Sequence, residues 1–435
     1  MRIIDFWDKI SWSLADKSLF VIYGLVQIVQ MYMMSPAEFG LFALLISIHT
    51  WIFVVTDAVA LQNIIQFGSN KANSPKANYY SLLLHICIIF VLPLILLLLR
   101  NPAAEFFNIP QLKYIFSVLP IFCLVTSVRT YCIKFEYKHV QMNYLFLTNL
   151  ALFLPMILIT FIVLMTDRTL NLERMVGMYL IGHGISSLVA FLLTRKEIHI
   201  SRKGNLRLKE VLDFSVPLLL TNSLQALPKQ LDSYAVSFFF GTSVTGIYYS
   251  AKTLFRVFEE SLAAAQGLVY PAAVRRIEAA DPAGLKEIIS KAVSFLFFSF
   301  VVIVAILECG LSDWLISTFL NAKYIAATGQ FNLLCIAALG LPFYIFSNLL
   351  VAEKKTKTLF VFVLISVTCF ALSFCFIGFS KNADLIPLAY IAYNFALGIT
   401  CTSYYFIKGN YRFADIFRTV TDASRFLSKK LSARR

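Results

Sequence analysis

Apolar residues in this chain gather into runs of about 20 or more, separated by short polar connections. Twelve such runs lie near 12–34, 40–65, 79–99, 114–133, 144–165, 174–194, 212–240, 244–273, 292–310, 324–351, 358–379 and 384–407. A helix of about 20 apolar residues crosses a bilayer core, and it satisfies its own backbone groups while doing so. The pattern predicts an all-α polytopic membrane protein with twelve transmembrane helices. The longest polar connection between two runs, 195–211, falls mid-chain and divides them six and six. The expected organisation is therefore an N-terminal six-helix lobe (1–194), a basic cytoplasmic crossover linker (195–211), a C-terminal six-helix lobe (212–407) and a tail (408–435).

Two fragments recur across that division. Ser35-Pro-Ala-Glu-Phe-Gly-Leu-Phe42 matches Gly241-Thr-Ser-Val-Thr-Gly-Ile-Tyr248 at an offset of 206, and Lys113-Tyr-Ile115 matches Lys323-Tyr-Ile325 at an offset of 210. With an even number of helices in each half, the repeats share one orientation, as in a parallel repeat about the membrane normal.

Composition agrees: 59% of residues are hydrophobic and 14% charged, leaving no room for a sizeable soluble domain. The net charge of +14 marks topology rather than nucleic acid. With the amino terminus inside, 28 of the 38 Lys and Arg fall in inside segments and 6 in outside loops. Such a bias places both termini in the cytoplasm. Residues Met1 to Lys9 lack the features of a cleaved signal peptide, so the first helix is expected to act as its own targeting signal. The eight cysteines form no CxxC pair and read as packing residues, so no metal or other cofactor is expected.

Polar residues inside the spans are costly and therefore informative. On the first span Ser13, Asp16, Tyr23, Gln27 and Gln30 share one helix face, which should point into protein or a cavity. The second span carries His49, Asp57, Gln62 and Asn63. His85 and His183 read as satisfied core histidines rather than proton relays. Pro93, Pro120 and Pro155 read as packing kinks. In the tail, apolar residues such as Phe413, Phe417 and Leu427 alternate with Arg412, Arg418 and Lys429, the pattern of a basic helix lying on an anionic leaflet or of a plain basic tail.

The seventh and eighth spans stand apart. They carry Lys229, Asp232, Lys252, Arg256, Glu259 and Glu260 around a turn at Gly241-Thr-Ser243. Depth counted from that turn matches Asp232 with Lys252, and Lys229 with Arg256; in the first hairpin it matches Lys17 with Asp57. Asp232–Lys252 and Lys17–Asp57 are thus candidate ion pairs, and mutual neutralisation is the plainer alternative to a transport site. Lys229 and Arg256 have no acid at their level and call for an anion. Pro217 and Pro228 should kink the seventh helix and make it a moving part. Tyr248, Tyr249 and Gln266 lie near the Lys252/Arg256 face, placed to meet hydroxyl groups. Asp57, Asp232, Glu259 and Glu260 are candidates for coupling to a proton or sodium gradient.

The stretch Leu208-Lys-Glu-Val-Leu-Asp-Phe-Ser-Val-Pro217, followed by Leu231-Asp232 and Gly246-Ile-Tyr248, resembles polysaccharide repeat-unit flippases of the Wzx type. Pro36-Ala-Glu-Phe-Gly-Leu-Phe42 with Asp57, and Ser317-Thr-Phe-Leu-Asn-Ala-Lys-Tyr324, are similar to further motifs of that family. These motifs are loose and are shared across a superfamily that includes drug exporters and lipid II flippases. The resemblance implies a pseudo-symmetric, V-shaped exporter fold in a bacterial inner membrane. It also implies a polyprenyl-diphosphate-linked oligosaccharide as substrate, moved from the inner to the outer leaflet for O-antigen or capsule synthesis. Expected partners are membrane lipids, a polysaccharide polymerase and a chain-length regulator. Lipid II flippases usually carry two further helices, which favours the oligosaccharide branch. On this reading Lys229 and Arg256 hold the diphosphate, Lys252 and Lys17 assist, and Tyr249 and Gln27 contact the remainder. The alternatives are a cation-coupled multidrug exporter, which would prefer an acidic site, and a polysaccharide polymerase, which would need a long outer loop.

Overall fold

The computed structural model describes residues 4–68, 73–166, 169–320, 322–408, 411, 412 and 414. The expected membrane-surface tail falls almost wholly outside them. The first six long helices are α1 (Ile4–Met33), α2 (Pro36–Gln66), α3 (Ser74–Leu98), α4 (Leu112–Lys138), α5 (Met142–Thr166) and α6 (Leu172–Thr194). Next, α7 starts at Leu208, passes through a π-helical turn at Leu227–Leu231 and resumes at Asp232. The helix then runs to Glu278, broken only at Gly241, whose φ of 85° suits glycine; the part beyond that break is α8. The remaining helices are α9 (Pro282–Phe319), α10 (Ala327–Ala338 with Leu341–Ala352), α11 (Thr356–Ser380) and α12 (Ala383–Ile407).

Among the described residues nine of these helices are long and apolar enough to cross a membrane, and α10 counts as a tenth if its two parts form one span. The two left out are α7 and α8, whose apolar runs are interrupted by Ser, Thr, Gly and Tyr as well as by ionisable residues. The chain is an all-α, multi-span membrane protein.

Local signals set several boundaries. Ser35 caps α2, its hydroxyl accepting from the Glu38 amide at 3.2 Å, with Pro36 in the first turn. The Glu38 carboxylate in turn accepts from the Leu172 amide at 2.6 Å, tying the starts of α2 and α6 together. Asp281 caps α9 through the Gly284 amide at 2.8 Å, and that bond, with the neighbouring Arg276, holds its carboxyl below the usual range.

One predicted boundary needs correction. The fourth span, predicted near 114–133, continues to Lys138 and carries Arg129, Lys134 and Glu136 within the helix. Hydropathy ends the span early because this end of α4 carries ionisable residues whose cost is offset by polar partners. The tenth span is bent by 43° between Ala338 and Leu341.

The fold divides into two compact units, residues 1–246 with 319–323, and residues 247–318 with 324–435. In the first unit α7 packs along α2, and Asn63 and Ser215 exchange hydrogen bonds of 3.1 and 3.2 Å between them. The linker is stitched to the start of α3. Asn78 donates to the His199 carbonyl (2.9 Å), the Ser201 amide donates to that of Pro75 (3.1 Å), and Leu206 is buried against Ala77 and Val211.

Candidate functional site

In the first unit the polar face of α1 points inward, as its periodicity predicts. Tyr23 donates to Tyr179 of α6 at 2.6 Å, and the Gln27 side-chain amide donates to the same oxygen at 3.3 Å. Gln30 donates to Thr160 of α5 at 2.9 Å, and Asp16 accepts from Asn149 of α5 at 2.6 Å. Asp16 and Gln30 are both buried, so these bonds offset the cost of leaving water.

Asn149 leads to residues that the sequence reading left out of the site. Its carbonyl oxygen accepts from Arg129 Nη2 at 2.5 Å, and Arg129 Nε donates to Ser186 of α6 at 3.0 Å. The Ser186 hydroxyl donates to the Thr148 carbonyl, and the Thr148 hydroxyl donates to Glu136 Oε1, both at 2.7 Å. The available signal was Asp16 itself, a buried acid on a packed face that requires a partner. Arg129 stands near the end of its apolar run, where a base is expected at the membrane surface, so it gave no such signal.

Asp57 does not meet Lys17. Its carboxylate pairs with Lys134 of α4 at 2.5 Å and accepts from Gln62 at 2.7 Å. Lys17 is exposed on α1, with its ammonium over the Phe20 ring at 5.3 Å. Depth matching along one hairpin failed because the interhelical partner of α2 at that level is α4. Asp57 opens a π-helical turn, Asp57–Leu61, that packs on α7, and the π turn of α7 packs on α2. The second turn contains Pro228, buried, and Lys229, half-buried. A π turn widens the helix locally and often marks a functional position. The disruption expected from Pro228 therefore takes the form of a wide turn that presents Lys229, while Pro217 lies within regular helix. Asp232 follows, buried, its carboxylate accepting from the Ser233 amide at 2.9 Å.

The histidines divide. His85 is satisfied, with Thr56 Oγ1 at 2.9 Å from Nδ1 and the Ser127 carbonyl at 3.1 Å from Nε2. His183 departs from the expected satisfied core residue: its ring centroid lies 6.0 Å from that of His49, and His183 Nδ1 and His49 Nε2 are buried with no hydrogen-bond partner among the described residues.

In the second unit Arg256 of α8 donates to the Tyr249 hydroxyl at 2.9 Å and lies 5.6 Å from the centre of its ring. Lys252 is 4% exposed, its ammonium 5.8 Å from the Tyr248 ring and 5.7 Å from the Tyr390 ring of α12. Tyr390 donates to Glu259 at 2.5 Å, and Tyr344 of α10 donates to Asn394 at 2.7 Å. The buried tyrosines enclose Lys252 by cation–π contacts. Arg256 and Glu259 stay half-buried and Glu260 is exposed. Arg256 is thus more accessible than Lys252. A guanidinium carries a planar fork of donors whose geometry suits a phosphate-like anion.

The family model described as polysaccharide biosynthesis protein matches residues 32–328, which takes in α2 to α9, both π turns next to Asp57 and Lys229, and Arg256. The chain belongs to this family. No curated protein matches it. Among solved structures, an inward-facing multidrug resistance transporter of the MATE family and MOP superfamily is similar, with a TM-score of 0.71 and 12% identity over 91% of this chain and 98% of the other. The lipid II flippase MurJ in an inward closed conformation is similar with a TM-score of 0.69 and 17% identity, over 94% of this chain and 90% of MurJ. A MOP-superfamily transporter from Pyrococcus furiosus, described as having a binding pocket of reversed polarity, gives 0.62 and 12% over 91% and 93%. This member of the polysaccharide biosynthesis family therefore shares the fold of those MOP-superfamily structures. Among the described residues no group of three or more His, Cys, Asp or Glu is arranged to hold a metal ion.

Proposed function

We propose that this transporter flips a polyprenyl-diphosphate-linked oligosaccharide repeat unit from the cytoplasmic to the outer leaflet of a bacterial inner membrane, by alternating access of two six-helix lobes. The observation that carries the reading is Arg256, half-buried on a membrane helix and held against Tyr249, in a chain of the polysaccharide biosynthesis family. Lys229, presented by its π turn, is the second diphosphate ligand, with Lys252 and Lys17 as lesser contributors to the field. Tyr249 and Gln27 meet the sugars or carry their orientation. Asp57, Asp232, Glu259 and Glu260 answer to a proton or sodium gradient, and the Pro228 turn with Pro217 serves as the hinge. Both termini lie in the cytoplasm, and the product passes to a polymerase and chain-length regulator of O-antigen or capsule assembly.

The test is the surface-polysaccharide ladder of a host lacking this protein, run beside its pool of lipid-linked precursor. Complete repeat units accumulating on the inner leaflet, with none at the surface, support the flippase. A surface carrying single unpolymerised repeats indicates a polymerase. An unchanged ladder with altered drug sensitivity indicates an exporter.

A further inference from the structure

The polar network inside the first unit has one loose end. Glu136 is 1% exposed; Thr148 donates to its Oε1 at 2.7 Å, while Oε2 is buried with no hydrogen-bond partner among the described residues. Asp16, 4% exposed, lies at the other end, and Arg129 reaches it through Asn149. Two buried carboxylates therefore share one guanidinium. With both ionised the cluster carries a net negative charge in a low-dielectric interior, where an uncompensated charge is severely penalised. One proton makes it neutral, and Glu136 Oε2 is the atom with room for it.

We infer that Glu136 is a proton-binding site, and that Arg129, Asn149 and Asp16 are positioning residues that set its affinity. The arrangement disfavours a metal cation, which takes several oxygen ligands. Asn149 Oδ1 is already occupied by Arg129, Glu136 Oε1 by Thr148, and the guanidinium repels a second cation.

Among the described residues, further titratable or charged groups face the cluster from each helix packed against it. Its own helix α4 supplies Cys132 and Tyr137, both within electrostatic reach of Glu136. From α6 and α2, His183 and His49 face Arg129. Asp57 of α2 is engaged by Lys134, and His85 of α3 is bonded on both ring nitrogens. From α5 come Thr148 and Asn149, which do not titrate. Glu136 lies outside the proposed coupling set, and proton binding there does not depend on the identity of the transported lipid.

The experiment is infrared difference spectroscopy of the full-length protein in lipid nanodiscs, titrated with pH in sodium-free buffer and again with sodium chloride. The expected result is a protonated-carboxyl C=O band that grows as pH falls, is absent in Glu136→Gln and persists in Asp57→Asn and Glu259→Gln. Thr148→Val removes the donor to Oε1, so it should shift the band and strengthen proton uptake by about tenfold. That variant keeps the test decisive if Glu136→Gln does not fold. A titrating band unchanged in Glu136→Gln or unmoved by Thr148→Val overturns the inference. So does a band abolished by sodium at constant pH, which would make the site a metal-cation site.

Discussion

Gly40 and Gly246, equivalent positions of the repeat, meet face to face across the starts of α2 and α8. A Cβ built on Gly40 would overlap the carbonyl oxygen of Thr242, and one built on Gly246 would overlap that of Pro36. Pro36 and Thr242 are themselves separated by the same 206 positions as the two glycines. The seam is therefore two-fold symmetric in sequence as well as in space, with small residues four apart on each helix allowing the backbones to touch. Either glycine changed to alanine should force the helices apart at a cost of about 1–3 kcal/mol, as overpacking does. Thermal unfolding in detergent should show a lower midpoint for Gly40→Ala and for Gly246→Ala; wild-type midpoints for both would mean that the seam is loose.

The Asp57–Lys134 pair joins the π turn of α2 to α4. Its side chains are 15% (Lys134) and 30% (Asp57) exposed. Removing either charge should destabilise the fold by roughly 1–3 kcal/mol, less than for a fully buried pair. Lys134→Ala, Asp57→Ala and the double variant form a cycle, and a coupling energy near zero would refute the pair. Lys17→Ala in the same background should behave additively with Asp57→Ala, because those residues do not pair.

Arg256 separates a fork from a point charge. Arg256→Lys keeps the charge but loses the bidentate geometry and the Tyr249 bond, so transport should fall several-fold; Arg256→Gln should lower it tenfold or more, as an order of magnitude. The readout is surface polysaccharide against lipid-linked precursor in cells producing each variant at equal level. Equal transport by both variants would exclude Arg256 as a phosphate ligand.

At the π turn of α7, Pro228→Ala restores the amide that proline lacks and lets the regular hydrogen-bond ladder close. The expected outcome is a protein that melts higher and transports less. Undiminished transport would remove the hinge role.

Asp281 supplies a pH dependence at the start of α9. Its folded-state carboxyl is held below the usual range by the Gly284 amide and then by Arg276. Its contribution to stability is therefore fully present above the unfolded carboxylate pKa and is lost as pH falls through the lower folded value. Melting midpoints of wild type and Asp281→Asn should converge in that acidic window and differ at neutral pH. Parallel curves throughout would show that the cap carries no charge-dependent stabilisation.

The apolar runs determined the helices of this protein, because each span must satisfy its backbone within itself and needs no knowledge of its neighbours. The same local logic made the face of α1 legible, since Asp16, Tyr23 and Gln30 recur at helical spacing, and it paired Gly40 with Gly246 through the repeat. Depth counted from the turn at Gly241-Thr-Ser243 set Lys229 and Arg256 at one level, with no acid to match them. Partners are another matter, because they belong to helices far apart in sequence. That Asp57 meets Lys134 rather than Lys17, that Arg129 reaches Asp16 through Asn149, and that Lys252 is enclosed by Tyr248 and Tyr390 were decided by packing alone. Hydrophobic periodicity fixes which face of a helix turns inward; only the assembled bundle fixes what that face encounters.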